Sequence, residues 1–524
     1  MASTTLFDTI SLRTLIVITV ALSFLSYRLW QIRARRKEED AFAARMGCRP
    51  LPHVATKWPL GLDLLVRAGR QNKAQTLLQF FLEVIESSGM THEQRLLGQK
   101  AFNTVEPRNI EAILSTQFED FGFGKRTNNF GPLLGSSIFT QDGEAWKHSR
   151  ALIRPQLAAN REQNYEVINN AVEDLIQSIQ DNAVVDLQPL FFELSLNTTL
   201  YLLFGNTMGQ SRNGESAAKD SEFAEAFLVA QEYLSHRGRL GNYYWLANPP
   251  KFQRACKITH DFIEQGIRGA LDSSNASPQT PAETGEKKAR TFIDALLRKT
   301  RDHKFIRDQC VSVLLAGRDT TACSLSWMFR LLVRHPQVLE KLRVEIEATI
   351  GTGKEAPCLT RTILKRMPYL DAVIKEVLRL YPIAPVNGRT AVRTTTLPVG
   401  GGPDGQAPFL VRKGDVVGYF VYAMHRRKDL YGADALEFRP ERWEDGTLFR
   451  KIGYGYLPFN GGPRVCLGQE YALLMLGYTV TRLIQMFPHM SLPHDEPIEE
   501  IDRERQALTL VLAPGDGCRV HVRS

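Results

Sequence analysis

The run Phe459-Asn460-Gly461-Gly462-Pro463-Arg464-Val465-Cys466-Leu467-Gly468 constrains this chain more than any other stretch. Two glycines and a proline shape a tight loop, and a helical stretch, roughly Gln469 to Phe487, follows it. Gly468 has no side chain and permits close approach of a flat ligand. Cys466 sits just before a helix N-terminus, where free N–H groups favour an anion. That position predicts a lowered thiol pKa and a thiolate. A single thiolate with no second ligand nearby does not suit zinc. It suits a metal that already has four equatorial ligands, namely haem iron. A lone cysteine in a glycine-rich loop is ordinarily an inert thiol. Phe459, Gly462, Arg464 and Gly468 at these offsets set Cys466 apart.

The remainder of the chain is large enough to enclose such a group. It has 524 residues, a length that by itself points to two to four domains, with 43% hydrophobic and 23% charged residues. The 7 cysteines are scattered and never form a Cys-x-x-Cys pair. That argues against a disulfide framework, a zinc ribbon or an iron–sulfur site, and for a reducing compartment. Lys+Arg is 65 and Asp+Glu is 57, a net charge of +8. No basic stripe interleaved with aromatics stands out, so nucleic acid is not an expected partner. A mild basic excess suits anionic lipid or an acidic protein.

The N-terminus reads as an anchor. Thr14 to Tyr27 carries no charge, Arg13 and Arg28 bracket it, and Leu29, Trp30 and Ile32 extend its apolar character. A bilayer span needs about 20 mostly apolar residues, so the expected span is about 14–32, with the arginines reaching towards the headgroups. Arg33, Arg35, Arg36 and Lys37 follow, and this flank should stay cytoplasmic. No small-x-small cleavage site follows, which argues against a cleaved signal peptide. The expected organisation is an anchor with basic flank at 1–40, a Pro-containing hinge at 41–60 built on Cys48-Arg49-Pro50-Leu51-Pro52, and a catalytic domain at 61–524. The sequon Asn197-Thr198-Thr199 would face the cytosol, unused.

Apolar residues recur at helical spacing over 101–118, 161–181, 220–236, 253–271, 302–335, 336–350 and 368–380. Strand-like runs are short and late, at 415–421 and 506–512. Polar, turn-rich 272–288 reads as a surface loop. The fold class is therefore mainly α with small β-sheets.

The Cys466 run resembles the haem-binding loop of the cytochrome P450s. That resemblance covers nearly the whole chain and implies the P450 fold, with haem b held between a long distal helix and the cysteine loop. Three further sites of the family are present in order. Glu376-Val377-Leu378-Arg379 places Glu and Arg on one helix face; with Arg442, in Phe438-Arg439-Pro440-Glu441-Arg442, the resemblance implies a buried structural brace. Ala316-Gly317-Arg318-Asp319-Thr320-Thr321 lies in a long apolar helix, where a glycine costs about 1 kcal/mol relative to alanine. The expected reason is room for dioxygen and substrate, with Asp319 and Thr320 managing protons. Trp146-Lys147-His148-Ser149-Arg150 implies propionate ligands in Trp146 and Arg150, joined by Arg464 and Arg389, whose planar forks suit a carboxylate. Phe459, Gly468 and the iron ligand Cys466 complete the implied set.

Several stretches are similar to the fungal alkane and fatty-acid hydroxylase branch: Lys57 to Asp63, Gln231 to Ser235, Leu240 to Asn242, Ala316 to Thr321, Thr396 to Gly405, and Phe459 to Cys466. The branch implies terminal (ω) hydroxylation of long aliphatic chains at the endoplasmic reticulum membrane, with the catalytic domain cytosolic. Phe118, Phe121, Phe123, Phe130, Leu133, Leu134, Ile138 and Phe139 are the expected pocket wall, although ordinary core packing is the better account of at least half of them. Animal ω-hydroxylases that attach haem through an ester use a Glu where this chain has Ala316, so no such link is expected. Gly351-Thr352-Gly353-Lys354 lacks the glycine and the Ser/Thr of a phosphate loop. Electrons must then come from a separate NADPH–cytochrome reductase, with cytochrome b5 a second implied donor. Three alternatives stay open: the same chemistry on the alkyl or polyketide tail of a secondary metabolite, a haem-thiolate isomerase or dehydratase, and a non-catalytic haem protein. Asp319-Thr320 argues against the isomerase.

Overall fold

The structure is a computed structural model and describes residues 12–159, 161–205, 215–276, 291–351 and 359–523. The polar segment at 272–288 lies outside the described residues beyond Ala276, as does the Gly351 motif beyond its first residue.

Helix α1 (Leu12–Arg45) begins the described chain. It is long and apolar enough to cross a membrane, and no part of its apolar window is covered by protein. It runs past the expected boundary at residue 40 as one rod. Its polar end docks on the catalytic body. Glu39 is buried and accepts hydrogen bonds from Arg35 Nε (3.1 Å), Thr394 Oγ1 (3.0 Å) and Arg412 Nε (3.0 Å). Asp40 accepts from Arg412 Nη2 at 2.7 Å.

The expected hinge is not a free linker. Pro50 and Pro52 have no N–H, but their carbonyls accept from Gly402 N (3.0 Å) and Glu93 N (2.8 Å). Arg49 N donates to Pro408 O at 2.8 Å. The prolines hold the segment extended, and an extended segment can lie along a sheet edge.

The site is framed by α2 (Gly143–Ala159), α3 (Leu187–Phe204), α4 (Glu215–Leu240), α5 (His303–Arg334), α6 (Pro368–Leu380) and α7 (Gln469–Met486). Helix α5 starts where Asp302 Oδ1 accepts from Phe305 N at 3.0 Å, a side-chain cap for an otherwise orphan donor. It ends before Pro336, which opens the next helix at its first position. Between those limits most of it is buried, so it is the central post. α3 lies along it, and α6 and α7 pack on its C-terminal half. There the Trp327 ring stacks on Tyr381 at 3.8 Å.

A five-stranded sheet holds β1 (Thr91–Leu96), β2 (Gln99–Thr104), β3 (Phe121–Gly122), β4 (Val386–Ala391) and β5 (Val416–Phe420). Its order is β1-β2-β5-β4-β3. Only β2 and β5 run parallel, with Ala101 opposite Val416; the other neighbours are antiparallel. Two sequence expectations are corrected here. The start of 101–118 is strand β2, because parallel pairing with β5 outweighs its weak helical spacing; the helix begins only at Pro107. The run 506–512 is not one strand but folds back, Gln506–Leu508 pairing with Leu512–Pro514.

Candidate active site

The loop before α7 is bent by its glycines. Gly462 has φ +64°, and a Cβ there would lie 1.8 Å from Leu114 O, so no other residue fits without moving backbone. Cys466 N donates to Phe459 O at 3.0 Å, and Asn460 Nδ2 to Arg464 O at 3.2 Å. A Cβ on Gly468 would meet nothing closer than Cys466 Sγ, at 4.0 Å. The space beside the sulfur is therefore open, and Cys466 is exposed to it. Phe459 is partly buried against the main core.

The thiol pKa differs in sign from the expectation. Burial raises it above its ordinary value; the backbone N–H groups of Gly468 and Gln469 and the Arg150 charge pull it down by less. The helix N-terminus acts in the expected direction but loses to desolvation. A metal cation bound at the sulfur would reverse that balance.

Four arginines gather beside this loop. Arg464 Nη2 donates to Gln141 O (3.1 Å) and Asp142 Oδ1 (2.7 Å), and its guanidinium lies 4.2 Å from the Trp146 ring centre. The Arg150 guanidinium lies 5.8 Å from the Trp146 ring centre. Arg389, on β4, is buried and donates to Gly388 O at 2.8 Å. Arg126 donates to Asn387 Oδ1 at 3.0 Å. Arg126, Arg464 and Arg389 surround the Phe123 ring at 3.9, 4.0 and 4.8 Å. Burial and mutual repulsion hold Arg126 down to about 9 and Arg464 down to about 10. Asp142 is the carboxylate that opposes them, and Arg464 Nη1 is buried with no partner. The cluster has room for an anion of more than one charge.

Behind the loop lies a closed network. Glu376 is fully buried and accepts from Arg379 Nε and Nη2 (both 2.8 Å), Arg442 Nε (2.9 Å), Trp443 Nε1 (2.9 Å) and Arg439 N (3.0 Å). Arg379 and Arg442 spend their other donors on carbonyls, including those of His425, Ala435 and Tyr431. Every strong donor in reach of the carboxylate is used, which is the condition for a tolerable buried ion pair.

On α5, partial exposure falls at Val313, Leu315, Ala316, Gly317 and Thr320, and all of these but Leu315 share one helical face. Thr320 Oγ1 donates to Ala316 O at 2.6 Å. Asp319 is turned off this face; it is buried and paired with Arg318 Nη1 at 2.9 Å. Burial raises its pKa, with Arg318 and Gln231 acting against that. Gly317 has a different reason from the one expected. A Cβ there would lie 2.6 Å from Thr199 Oγ1 on α3. The missing side chain lets α3 and α5 approach.

A cytochrome P450 family model matches residues 52–516. The chain belongs to the cytochrome P450 family. It is 53% identical over 97% of its length to a cytochrome P450 of Arthroderma benhamiae, covering 99% of that protein. It is 40% identical to cytochrome P450 52A5 of Candida maltosa, over 91% of this chain and 92% of that one. The fold is also that of the solved cytochrome P450DA haem domain: TM-score 0.73 at 19% identity, covering 91% of this chain and 98% of that one. The mainly α reading with small sheets and a P450 fold is thus borne out.

A P450 monooxygenase carries haem with thiolate ligation, and the residues present fit that group. The sulfur is exposed beside a glycine with no side chain to block a flat group, and the arginine cluster has the excess charge and the spare donor that two propionates need. Sequence reasoning missed Arg126, which nothing in its local spacing marks, and took Phe123 for pocket wall where its ring lies among the rim arginines. The expected pocket-wall residues divide between core and partly buried positions. Phe121, Leu133 and Leu134 are buried core, while Phe118 lies against Trp146 at 5.7 Å. Phe130, Ile138 and Phe139 remain partly buried beside the second core cluster.

Proposed function

We propose that this P450 hydroxylates long aliphatic chains at or near the terminal carbon, drawing electrons from NADPH through a separate membrane-bound reductase. The carrying observation is the polarity of the distal face: among Val313, Ala316, Gly317 and Thr320 the only polar side chain is one hydroxyl, already donated to Ala316 O. Such a surface offers a substrate almost no polar handle, and a hydrocarbon needs none. Likeness to cytochrome P450 52A5, and to the hydroxylase branch it resembles, supports the same substrate class.

When bound, haem supplies the redox-active iron at which dioxygen is activated. Cys466 holds that iron, with Phe459 and Gly468 shaping the loop around the sulfur. Trp146, Arg150, Arg389 and Arg464 hold and neutralise the propionates, joined by Arg126. Thr320, whose hydroxyl is fixed on Ala316 O, would take part in proton delivery on the distal face, and Asp319, the residue before it, would support that role from its pair with Arg318. Glu376, Arg379 and Arg442 keep the loop's supporting wall rigid. Ala316 leaves the haem without an ester link.

The organisation we propose is an N-terminal anchor, a short pinned connection and one catalytic domain on the cytosolic face of the endoplasmic reticulum membrane. Trp58 (53% exposed), Leu60 (62%), Trp245 (61%) and Leu246 (61%) support a second lipid contact. Their two segments meet at Leu97, which donates to Leu60 O (2.8 Å) and accepts from Tyr243 OH (3.1 Å). Tryptophan and leucine left in water at this density suit an interface.

Co-expression with an NADPH reductase in yeast microsomes, fed fatty acids and alkanes, tests the reading by gas chromatography–mass spectrometry. The expected result is an NADPH-dependent terminal alcohol that is absent with Cys466→Ala. No product from protein with a thiolate-type reduced carbon monoxide spectrum would overturn the substrate class.

A further inference from the structure

His425 is fully buried between the Glu376 network and the strand of chain that leads into the cysteine loop. Both ring nitrogens meet backbone. Nδ1 lies 3.0 Å from Arg379 O, which can only accept; Nε2 lies 2.9 Å from Leu457 N, which can only donate. The ring is therefore neutral, protonated at Nδ1 and bare at Nε2. The tautomer follows from the two partners, and no other arrangement satisfies both.

The contact is reciprocal on one side. Arg379 Nη1 donates to His425 O at 2.9 Å while the His425 ring donates to Arg379 O. The other side leads to the sulfur. Leu457, held by Nε2, accepts from Asn460 N at 3.3 Å through its own carbonyl. Asn460 has φ +62° and is held in turn by Tyr419 OH at 3.1 Å. One residue earlier, Phe459 O accepts from Cys466 N. The Tyr456 ring stacks on His425 at 5.3 Å and prevents the imidazole from swinging out.

We propose that His425 is a positioning residue for the thiolate: it transmits the rigidity of the Glu376–Arg379–Arg442 network to the cysteine loop through its Nε2 bond to the Leu457 amide. It touches neither haem nor substrate. A loop hung from a fixed point keeps the sulfur at one distance and orientation, which a ligand atom needs. The proposal rests on Cys466 being the iron ligand.

Gln and Asn separate the two ring bonds. In His425→Gln the side-chain oxygen reaches the place of Nε2 and can still accept from Leu457; in His425→Asn the amide reaches only the place of Nδ1 and keeps Arg379. Tyr431→Phe is the structural control, since it removes another buried bond of the same cluster, Tyr431 OH to Gly455 O at 2.8 Å, without touching Leu457. Hydrogen exchange of the Leu457–Cys466 segment and the share of thiolate-type reduced carbon monoxide spectrum are read on the full-length protein. His425→Asn should exchange this segment about tenfold faster and convert part of the spectrum to the thiolate-free form. His425→Gln should restore most of both, and Tyr431→Phe should lower thermal stability while moving neither. Equal exchange and spectra for Asn and Gln at wild-type levels would overturn the proposal. So would an Asn defect no larger than that of Tyr431→Phe. If a variant loads no haem, exchange on the haem-free protein still decides between these outcomes. If wild type itself shows no thiolate spectrum, the ligand reading fails first and takes the proposal with it; a normal wild-type spectrum with unmoved variants sinks the proposal alone.

Discussion

Glu376→Gln changes one atom at the centre of the buried brace, and its cost can be worked from the contacts. In glutamine one carboxylate oxygen becomes an NH2 group. Placed at the Oε1 position it faces three donors, Arg379 Nη2, Arg442 Nε and Arg439 N. Placed at the Oε2 position it faces two, Arg379 Nε and Trp443 Nε1. The second orientation is cheaper, yet it still breaks the bonds from Arg379 Nε and Trp443 Nε1, leaving Arg379 one bond to a neutral amide oxygen and no carboxylate in contact with its charge. The side chains of both residues are fully buried, so water cannot substitute. Breaking such a pair costs about 3–5 kcal/mol, and we expect a loss of about 4 kcal/mol, roughly a thousandfold in the folded-to-unfolded ratio. That is a large part of the 5–15 kcal/mol or so that a domain has to lose. Urea unfolding of the full-length protein in detergent, followed by tryptophan fluorescence, measures it against Glu441→Gln. The Glu441 pair with Lys341 is partly exposed and should cost about 1 kcal/mol or less. A Glu376→Gln protein within about 1 kcal/mol of wild type would refute the reasoning.

Three further outcomes are expected. Gly317→Ala drives a methyl into Thr199 and should cost about 1–3 kcal/mol in thermal unfolding; adding Thr199→Ala should recover most of it, and no recovery would mean that the α3–α5 contact is not the reason for the glycine. Burial holds His425 down to about 3 against about 6.5 in the unfolded chain. The unfolded state thus takes up a proton first as pH falls, so this stability is present above the unfolded value and is lost as pH drops towards the folded one. Between pH 7 and pH 5 the loss is about 2 kcal/mol, and the stability-versus-pH curve of His425→Gln should be flatter by that amount; parallel curves would show that the residue is not buried neutral. Arg126→Gln, removing one cation from the rim, should speed haem transfer to an apo-globin acceptor about tenfold, and an unchanged rate would remove Arg126 from the propionate site.

Much of the molecule follows from local pattern. The helices at 303–334, 336–350 and 368–380 match their apolar spacing to within a residue or two at each end, because a cap at Asp302 and prolines at 336 and 368 are local facts. The bend at Gly461-Gly462-Pro463 and the helix after Gly468 are equally local. The cysteine, the acid–alcohol pair and the Glu–Arg pair could be named because each is a short run. What the sequence could not express is which side chain faces which neighbour from a distant segment. Gly317 is small because of Thr199, Arg126 and Phe123 belong to the rim because the β3–β4 edge brings them to Arg464, and residues 49–54 are pinned because their carbonyls meet Gly402 and Glu93. Periodicity and turn chemistry act over a few residues and are written in order along the chain; packing, desolvation and charge repulsion act through space, and only the folded molecule brings their partners together.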